Sequence, residues 1–163
     1  MCQLAGCATA VTSIRDESEA ALSQGEGFLL IEVDTSHDLE SISIKGTKSV
    51  FLTRADLRAG SNYILVNLPA GEYRIERVDL NWFYYRMVDG MWDFAVEKDT
   101  ISYVGNLTFK GGDWGKQGRF VLVNRSSFAL EYLEEQFPNL AATQRLVYRG
   151  PGEDRFLPMV TGR

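Results

Sequence analysis

The sequence predicts a mainly β protein, an antiparallel β-sandwich with one amphipathic helix near the C-terminus. Three observations carry that prediction. Short runs rich in Val, Ile, Leu and aromatic residues recur along the chain, the composition that packs on a pleated, half-buried surface. Turn-forming residues interrupt them at roughly the 8–12-residue spacing of an all-β sandwich or barrel. One segment alone breaks the rhythm, with apolar residues at helical spacing.

Residues 27–33 (GFLLIEV) are continuously apolar but for one position and end in the turn-forming DTSHD, so they read as a first buried strand. Residues 41–44 alternate polar and apolar, as a half-exposed neighbour does. Residues 49–53 (SVFLT) and 62–68 (NYILVNL) continue the pattern across a polar segment with a glycine, and 72–78, 82–87, 92–96, 101–109, 119–123 and 145–148 supply further strands. Between the last two, Ser126 or Ser127 can cap a helix start and Pro138 marks the helix end. A helix over about 127–137 sets Phe128, Tyr132, Leu133 and Phe137 near one face and Glu131, Glu134 and Glu135 toward the other.

At 163 residues the chain suits a single domain. Residues 1–26 are small, polar and weakly periodic after their first few positions, which reads as a flexible tether. Residues 27–150 form the sandwich, and 151–163 a Gly/Pro-rich tail. No internal repeat or low-complexity block is present. Hydrophobic residues at 45% and charged residues at 24% are ordinary for a globular protein.

Charge and cysteine usage remove several function classes. A net charge of −5 and a pI near 4.9, with no Lys/Arg cluster, argue against nucleic acid as a partner. They also argue against a basic contact with anionic lipid, leaving a covalent anchor as the route to a membrane. No apolar run approaches the roughly 20 residues of a spanning helix. Both cysteines, Cys2 and Cys7, precede the predicted domain, so its body has no disulfide and no Cys-based metal site. With His37 the sole histidine, in DTSHD, a His-rich zinc site is excluded as well, and the residue reads as a solvated turn. No cofactor motif is expected: residues 111–118 (GGDWGKQG) have the glycines of a phosphate loop without its GxxxxGK[ST] spacing, and lead into a strand.

Two internal motifs are informative. In Asn67-Leu-Pro-Ala-Gly-Glu-Tyr-Arg-Ile75, Pro69 fixes φ for a turn, Gly71 can take positive φ, and Tyr73 begins the next strand. A tyrosine so placed can return its hydroxyl to an upstream backbone group and lock a corner. The aromatic run Trp82-Phe83-Tyr84-Tyr85, with Trp92 and Trp114 nearby in sequence, supplies the candidate ligand or partner contacts Trp82, Tyr84, Trp92 and Trp114. Strand alternation sends Trp82 and Tyr84 to one face and Phe83 and Tyr85 to the other, so one pair joins the core while the other is free to stack on a glycan or to meet a protein. Asp89, Asp93, Glu97 and Asp99 are numerous enough to supply a carboxylate pair for glycoside hydrolysis. Nothing in the sequence brings two of them together, Asp89-Gly90 is a standard hairpin signal, and the chain is expected not to be an enzyme.

LPAGEYRI looks like the Leu-Pro-x-Gly-x-Tyr corner of carboxypeptidase-regulatory-like, prealbumin-type β-sandwich domains in bacterial envelope proteins. Residues 101–107 (ISYVGNL), followed by a strand and a helix ending in Phe137-Pro138, resemble the back half of certain small uncharacterised bacterial lipoproteins. The resemblance covers roughly residues 60–140 as an ordering of motifs. It implies a fold and an envelope location and lends no catalytic residue.

The start of the chain points the same way. Leu4-Ala5-Gly6-Cys7 has the form of a lipobox, in which small residues let the peptide lie extended in the signal peptidase and the Cys thiol receives the diacylglyceryl group. A chance match at one position is on the order of one in 10⁴ under ordinary residue usage. The basic and apolar regions of a signal peptide do not precede it, which predicts a translation start some way upstream; with Met1 as the true start the protein would be cytoplasmic. Ala8 follows Cys7, where an Asp would be the inner-membrane retention signal, so an outer-membrane, periplasm-facing protein is expected. The functional expectation is a non-enzymatic envelope lipoprotein, lipidated on Cys7 and meeting a protein or glycan partner. The alternative is an envelope enzyme or small-ligand binder using residues 82–99.

Overall fold

The computed structural model describes residues 7–88, 90–111 and 118–162. Its frame is two facing sheets with a layer of helices on the outer side of one of them. The first sheet runs in the order β1 (Thr9–Val11), β4 (Val50–Thr53), β3 (Ser41–Gly46) and β6 (Gly71–Asp79). Two short strands share the far edge of β6 end to end: β7 (Tyr84–Arg86) pairs with Arg77, Val78 and Asp79, and β8 (Asp93–Val96) with Gly71 to Arg74. The second sheet is β5 (Gly60–Pro69), β2 (Glu26–Thr35) and β9 (Thr100–Lys110), with β10 (Arg119–Val123) and β11 (Arg145–Tyr148) likewise sharing the free edge of β9.

The mainly β class and the two-sheet frame agree with expectation, but the pairing is mixed and not purely antiparallel. β1 runs parallel to β4, β2 to β9, and β11 to β9. The reason lies in what covers β2 and β9. Leu29, Ile31 and Val33 face the first sheet with Val104, Leu107 and Phe109, while Phe28, Leu30, Ile101 and Tyr103 face the helices. Strands buried on both faces read as unbroken apolar runs and tolerate parallel neighbours, as in α/β proteins.

Three helices are seen where one was expected: α1 (Ser126–Gln136), α2 (Pro138–Thr143) and α3 (Phe156–Thr161). The face α1 buries is Ala129, Leu133 and, just past its end, Phe137, an i, i+4 row lying on the second sheet. Phe128, expected on that face, is 57% exposed, because burying the row Ala129, Leu133 and Phe137 leaves it about 100° round the helix from that row. The expected tail 151–163 is also ordered in part: Leu157 of α3 is buried, and Asp154 accepts the backbone N–H groups of Phe156 and Leu157 at 3.1 and 3.2 Å.

The largest correction concerns the expected tether. Its polar composition serves specific bonds, so residues 9–19 form a strap across both sheets. β1 extends the first sheet. Ser13 and Ile14 then cover the edge of β5, with Ile14 N–H donating to the Leu65 carbonyl at 2.7 Å and Leu65 N–H to Ser13 Oγ at 3.0 Å. Glu17 continues to the helices, accepting the N–H groups of Asn139 and Leu140 at 2.7 and 3.1 Å. Open sheet edges invite association with other chains, and the strap covers one on each sheet.

The corner in LPAGEYRI forms as expected. Tyr73 Oη donates to the Pro69 carbonyl at 2.7 Å, and burial pushes its hydroxyl above the ordinary tyrosine range. Gly71 has φ of +151°, and a Cβ there would lie 2.0 Å from Thr47 Oγ1, so glycine is required on both counts. Tyr73→Phe is expected to cost about 1–2 kcal/mol, measured as a lower urea midpoint with unchanged slope; an unchanged midpoint would show that the corner bond contributes nothing.

Candidate binding surface

β6 determines where the aromatic run goes. Its strand ends at Asp79, and the chain reverses over residues 80–83, where Leu80 N–H donates to the Phe83 carbonyl at 2.8 Å. The expected strand 82–87 is therefore shorter, and Trp82 sits in the turn, 93% exposed. Tyr84, in β7, is 52% exposed. Tyr85 points the other way, against Phe109 and Phe120 at centroid distances of 5.7 and 5.1 Å. Phe83 covers it edge-on at 5.3 Å. Alternation thus separates Tyr84 from Tyr85, while Trp82 is exposed by the turn and not by strand alternation.

The other two aromatic candidates fare differently. Trp92 ends a 3-10 turn (Gly90–Trp92) before β8 and is only 5% exposed, packed edge-on against Phe120 at 6.3 Å. It is a core residue and not a contact. Trp114 lies outside the described residues, as do Cys2 and Asp89. Cys7 is exposed, two residues before β1.

Along β6 away from the aromatic turn, the solvent face of the first sheet carries an open groove of about 900 Å³ that Arg86 of β7 reaches. An irregularity in register puts Ser43 opposite Arg77 but Ile44 opposite Ile75, leaving Glu76 without a counterpart. This bulge turns both Glu76 and Arg77 outward between the buried Ile75 and Val78. Lys45, Glu72, Arg74, Glu76, Arg86 and Asp93 line the groove. Most of these charges are paired. Arg74 grips Asp93 through two nitrogens and holds that carboxyl below the usual carboxylate range, and Lys45 Nζ lies 3.6 Å from Glu76. At the aromatic end, Arg77 Nε donates to Asp79 at 3.0 Å. Arg86 has no carboxylate partner among the described residues. Its guanidinium lies 6.0 Å from the Tyr84 ring centroid, and that of Arg77 lies 5.2 Å from it, within cation–π range.

The acidic residues numerous enough for a hydrolytic pair are dispersed among cations. Asp93 faces Arg74, Glu97 bridges Arg145 and Arg149, and Asp99 faces Lys98 at 3.5 Å. His37 is exposed in its turn, with Nδ1 2.9 Å from Ser36 Oγ.

A second constellation is not apparent from sequence. On the helix-facing side of the second sheet, Glu32 of β2 lies across from Tyr63 of β5 and Asn106 of β9, while Tyr103 pairs with Leu30. Glu32 is 5% exposed, and Tyr103 and Asn106 are wholly buried. Glu32 Oε1 accepts from Ser61 Oγ at 2.8 Å, and Asn106 Oδ1 from Thr108 Oγ1 at 2.6 Å. Glu32 Oε2, the Tyr103 hydroxyl and Asn106 Nδ2 have no partner among the described residues. Burial first, and the Glu32 charge second, push the Tyr63 and Tyr103 hydroxyls well above the ordinary tyrosine range. The sequence does hold a signal: Glu32 is the single charged residue in GFLLIEV. Buried charge is costly without compensation, so Glu32→Gln, which keeps the Ser61 bond, is expected to stabilise the fold by about 1 kcal/mol. A lower urea midpoint in that variant would contradict this account of the carboxylate.

No protein-family model, curated protein or solved structure matches this chain.

Proposed function

We propose that the chain is a non-enzymatic interaction module of the bacterial cell envelope, held to the outer membrane by lipid on Cys7 and facing the periplasm. Its aromatic turn is the contact surface for an envelope protein or glycan. The observation that carries this reading is the aromatic turn itself, where Trp82 is 93% exposed just past the end of β6. Thr9 pairs with Val50, whose row runs through Ile44 to Ile75 in the middle of β6, whereas Asp79 at the end of β6 pairs with Tyr84. The two rows are about 13 Å apart at roughly 3.3 Å per residue. Cys7 is exposed two residues before β1, so the anchor leaves the first sheet from its edge strand while Trp82 stands in the turn past β6.

The aromatic turn supports a contact role on its own account. A tryptophan 93% exposed, beside a half-exposed tyrosine flanked by two arginines, combines the three residue types that dominate binding hot spots. The motif Leu4-Ala5-Gly6-Cys7 supports the anchor. Expression of the gene in a bacterial host with labelled fatty acid tests that part: label is expected on the native protein and absent from Cys7→Ser, and equal labelling rejects Cys7 as acceptor. A photo-crosslinking residue in place of Trp82, in the full chain in cells, tests the contact surface. Adducts are expected there and not from the opposite end at Lys98; no adduct from position 82 would reject the surface.

A further inference from the structure

We infer that the sheet face formed by Arg77, Tyr84 and Arg86, together with the groove below it, binds an acidic saccharide. The inference rests on the reading of this face as a contact surface and specifies the chemistry of what it contacts. Arg77 and Arg86 stand directly across from each other on β6 and β7, an arrangement of like charges that disfavours strand pairing. Asp79 relieves one of them at 3.0 Å, and it also accepts from Ser41 Oγ at 2.9 Å. Among the described residues Arg86 has the face of Tyr84 as its charge-relieving contact, a weaker partner than a carboxylate. An external carboxylate would complete its fork, and Arg presents planar, paired donors suited to that geometry.

The rest of the surface favours a sugar over a peptide. The floor of the groove alternates donors and acceptors: Lys45 with Glu76, Arg74 with Asp93, and Glu72 at its far side. Such a lining matches the hydroxyls of a saccharide, each both donor and acceptor. Among these charges Tyr73, Met87 and Val88 also line the groove, so apolar atoms for the C–H faces of a sugar alternate with polar groups for its hydroxyls, without the charge-depleted centre typical of a protein interface. Arg86 lines the groove and shares one face of β7 with Tyr84, so the exposed rings of Tyr84 and of Trp82, in the turn before it, extend the surface along the strand and can pack on the C–H faces of pyranose rings. A net charge of −5 opposes attraction of a polyanion from a distance. Selectivity must therefore come from contact with Arg86, and a short acidic oligomer suffices to show it.

The probe is a hexamer of 1,4-linked galacturonic acid beside its fully methyl-esterified form, which keeps the rings and removes the charge. Calorimetric titration of the full chain is expected to show the acid bound about tenfold more tightly than the ester, the scale of one charge-assisted contact. Arg86→Gln should bring the two to equal affinity, and Arg86→Lys should restore part of the preference. Trp82→Ala should weaken both hexamers alike. Both side chains are exposed, and unchanged thermal unfolding of the variants confirms that the fold is intact. Equal binding of acid and ester by the native chain overturns the inference, as does a preference that survives Arg86→Gln. If neither hexamer binds while position 82 still crosslinks to an envelope protein, the saccharide is rejected and the contact surface stands. If both fail, both readings fall.

Discussion

Phe137→Ala is expected to lower the free energy of unfolding by about 3–5 kcal/mol, the range for removing a large buried aromatic side chain. Phe137 is 1% exposed at the junction of α1 and α2. There it packs with Leu133, Leu140 and Tyr132 against Phe28, Leu30 and Ile101 of the second sheet. The consequence reaches beyond the helices, because α1 and α2 cover the outer face of the central strands β2 and β9. Loosening them wets apolar residues that have no other cover. Chemical unfolding monitored in parallel by far-ultraviolet circular dichroism and tryptophan fluorescence checks this. A loss below about 1 kcal/mol would mean that the helical layer is dispensable to the sandwich.

The second large effect is expected at Asp56, a carboxylate with 1% exposure in the connection between β4 and β5. Its Oδ2 accepts the backbone N–H of Ser13 at 2.9 Å, and its Oδ1 accepts the Arg15 guanidinium. Arg15 is 65% exposed, so that ion pair is well screened and contributes little. The buried N–H dominates, since leaving it unpaired in the interior carries its full desolvation cost. Asp56→Ala is expected to lose about 3 kcal/mol, whereas Asp56→Asn, which keeps an acceptor for Ser13, should lose about 1 kcal/mol. Limited proteolysis supplies the local readout: cleavage within residues 8–26 should accelerate in Asp56→Ala under conditions where the rest of the chain is resistant. Resistance equal to the native chain would show that the strap is held by other contacts.

The sequence is most legible where a local rule acts alone. Residues 119–123 and 145–148 coincide with β10 and β11, because short β-branched runs bounded by polar residues have few alternatives. The Tyr73 corner is readable for a similar reason: Pro69, Gly71 and the tyrosine are all within five residues of one another. Failures arise where a distant partner decides. Ser13, Ile14 and Glu17 look like linker because their partners, Leu65, Asp56, Asn139 and Leu140, lie far along the chain. Phe128 reads as inward by its hydrophobicity, whereas burial of the row Ala129, Leu133 and Phe137 sets the rotation of α1.

The candidate surface divides along the same line. Exposure of Tyr84 follows from strand period, but Trp82 depends on where β6 stops, which no strong breaker marks, and Trp92 on the turn that Gly90 opens before β8. Arg86 does not stand out in sequence because an arginine in a strand is ordinary by itself. Its significance lies in facing Arg77 across a hairpin while lacking a carboxylate of its own among the described residues. Glu32 is the instructive miss: a lone charge inside an apolar strand is the type of local conflict that a sequence reading can detect.

The parallel pairing of β2 with β9 bears on the time course of folding. Phe28 aligns with Ile101, and Glu17 bonds to Asn139 across 122 positions of sequence. The central strand of the second sheet therefore waits for a neighbour made much later, and the strap waits for a helix made later still. Contacts of such long range slow folding, and a growing chain has no early substructure with both faces of β2 covered. The full polypeptide must be available before the sandwich closes. A pulse of refolding from denaturant should accordingly proceed over milliseconds to seconds, with protection of the β2 amides arriving together with that of β9.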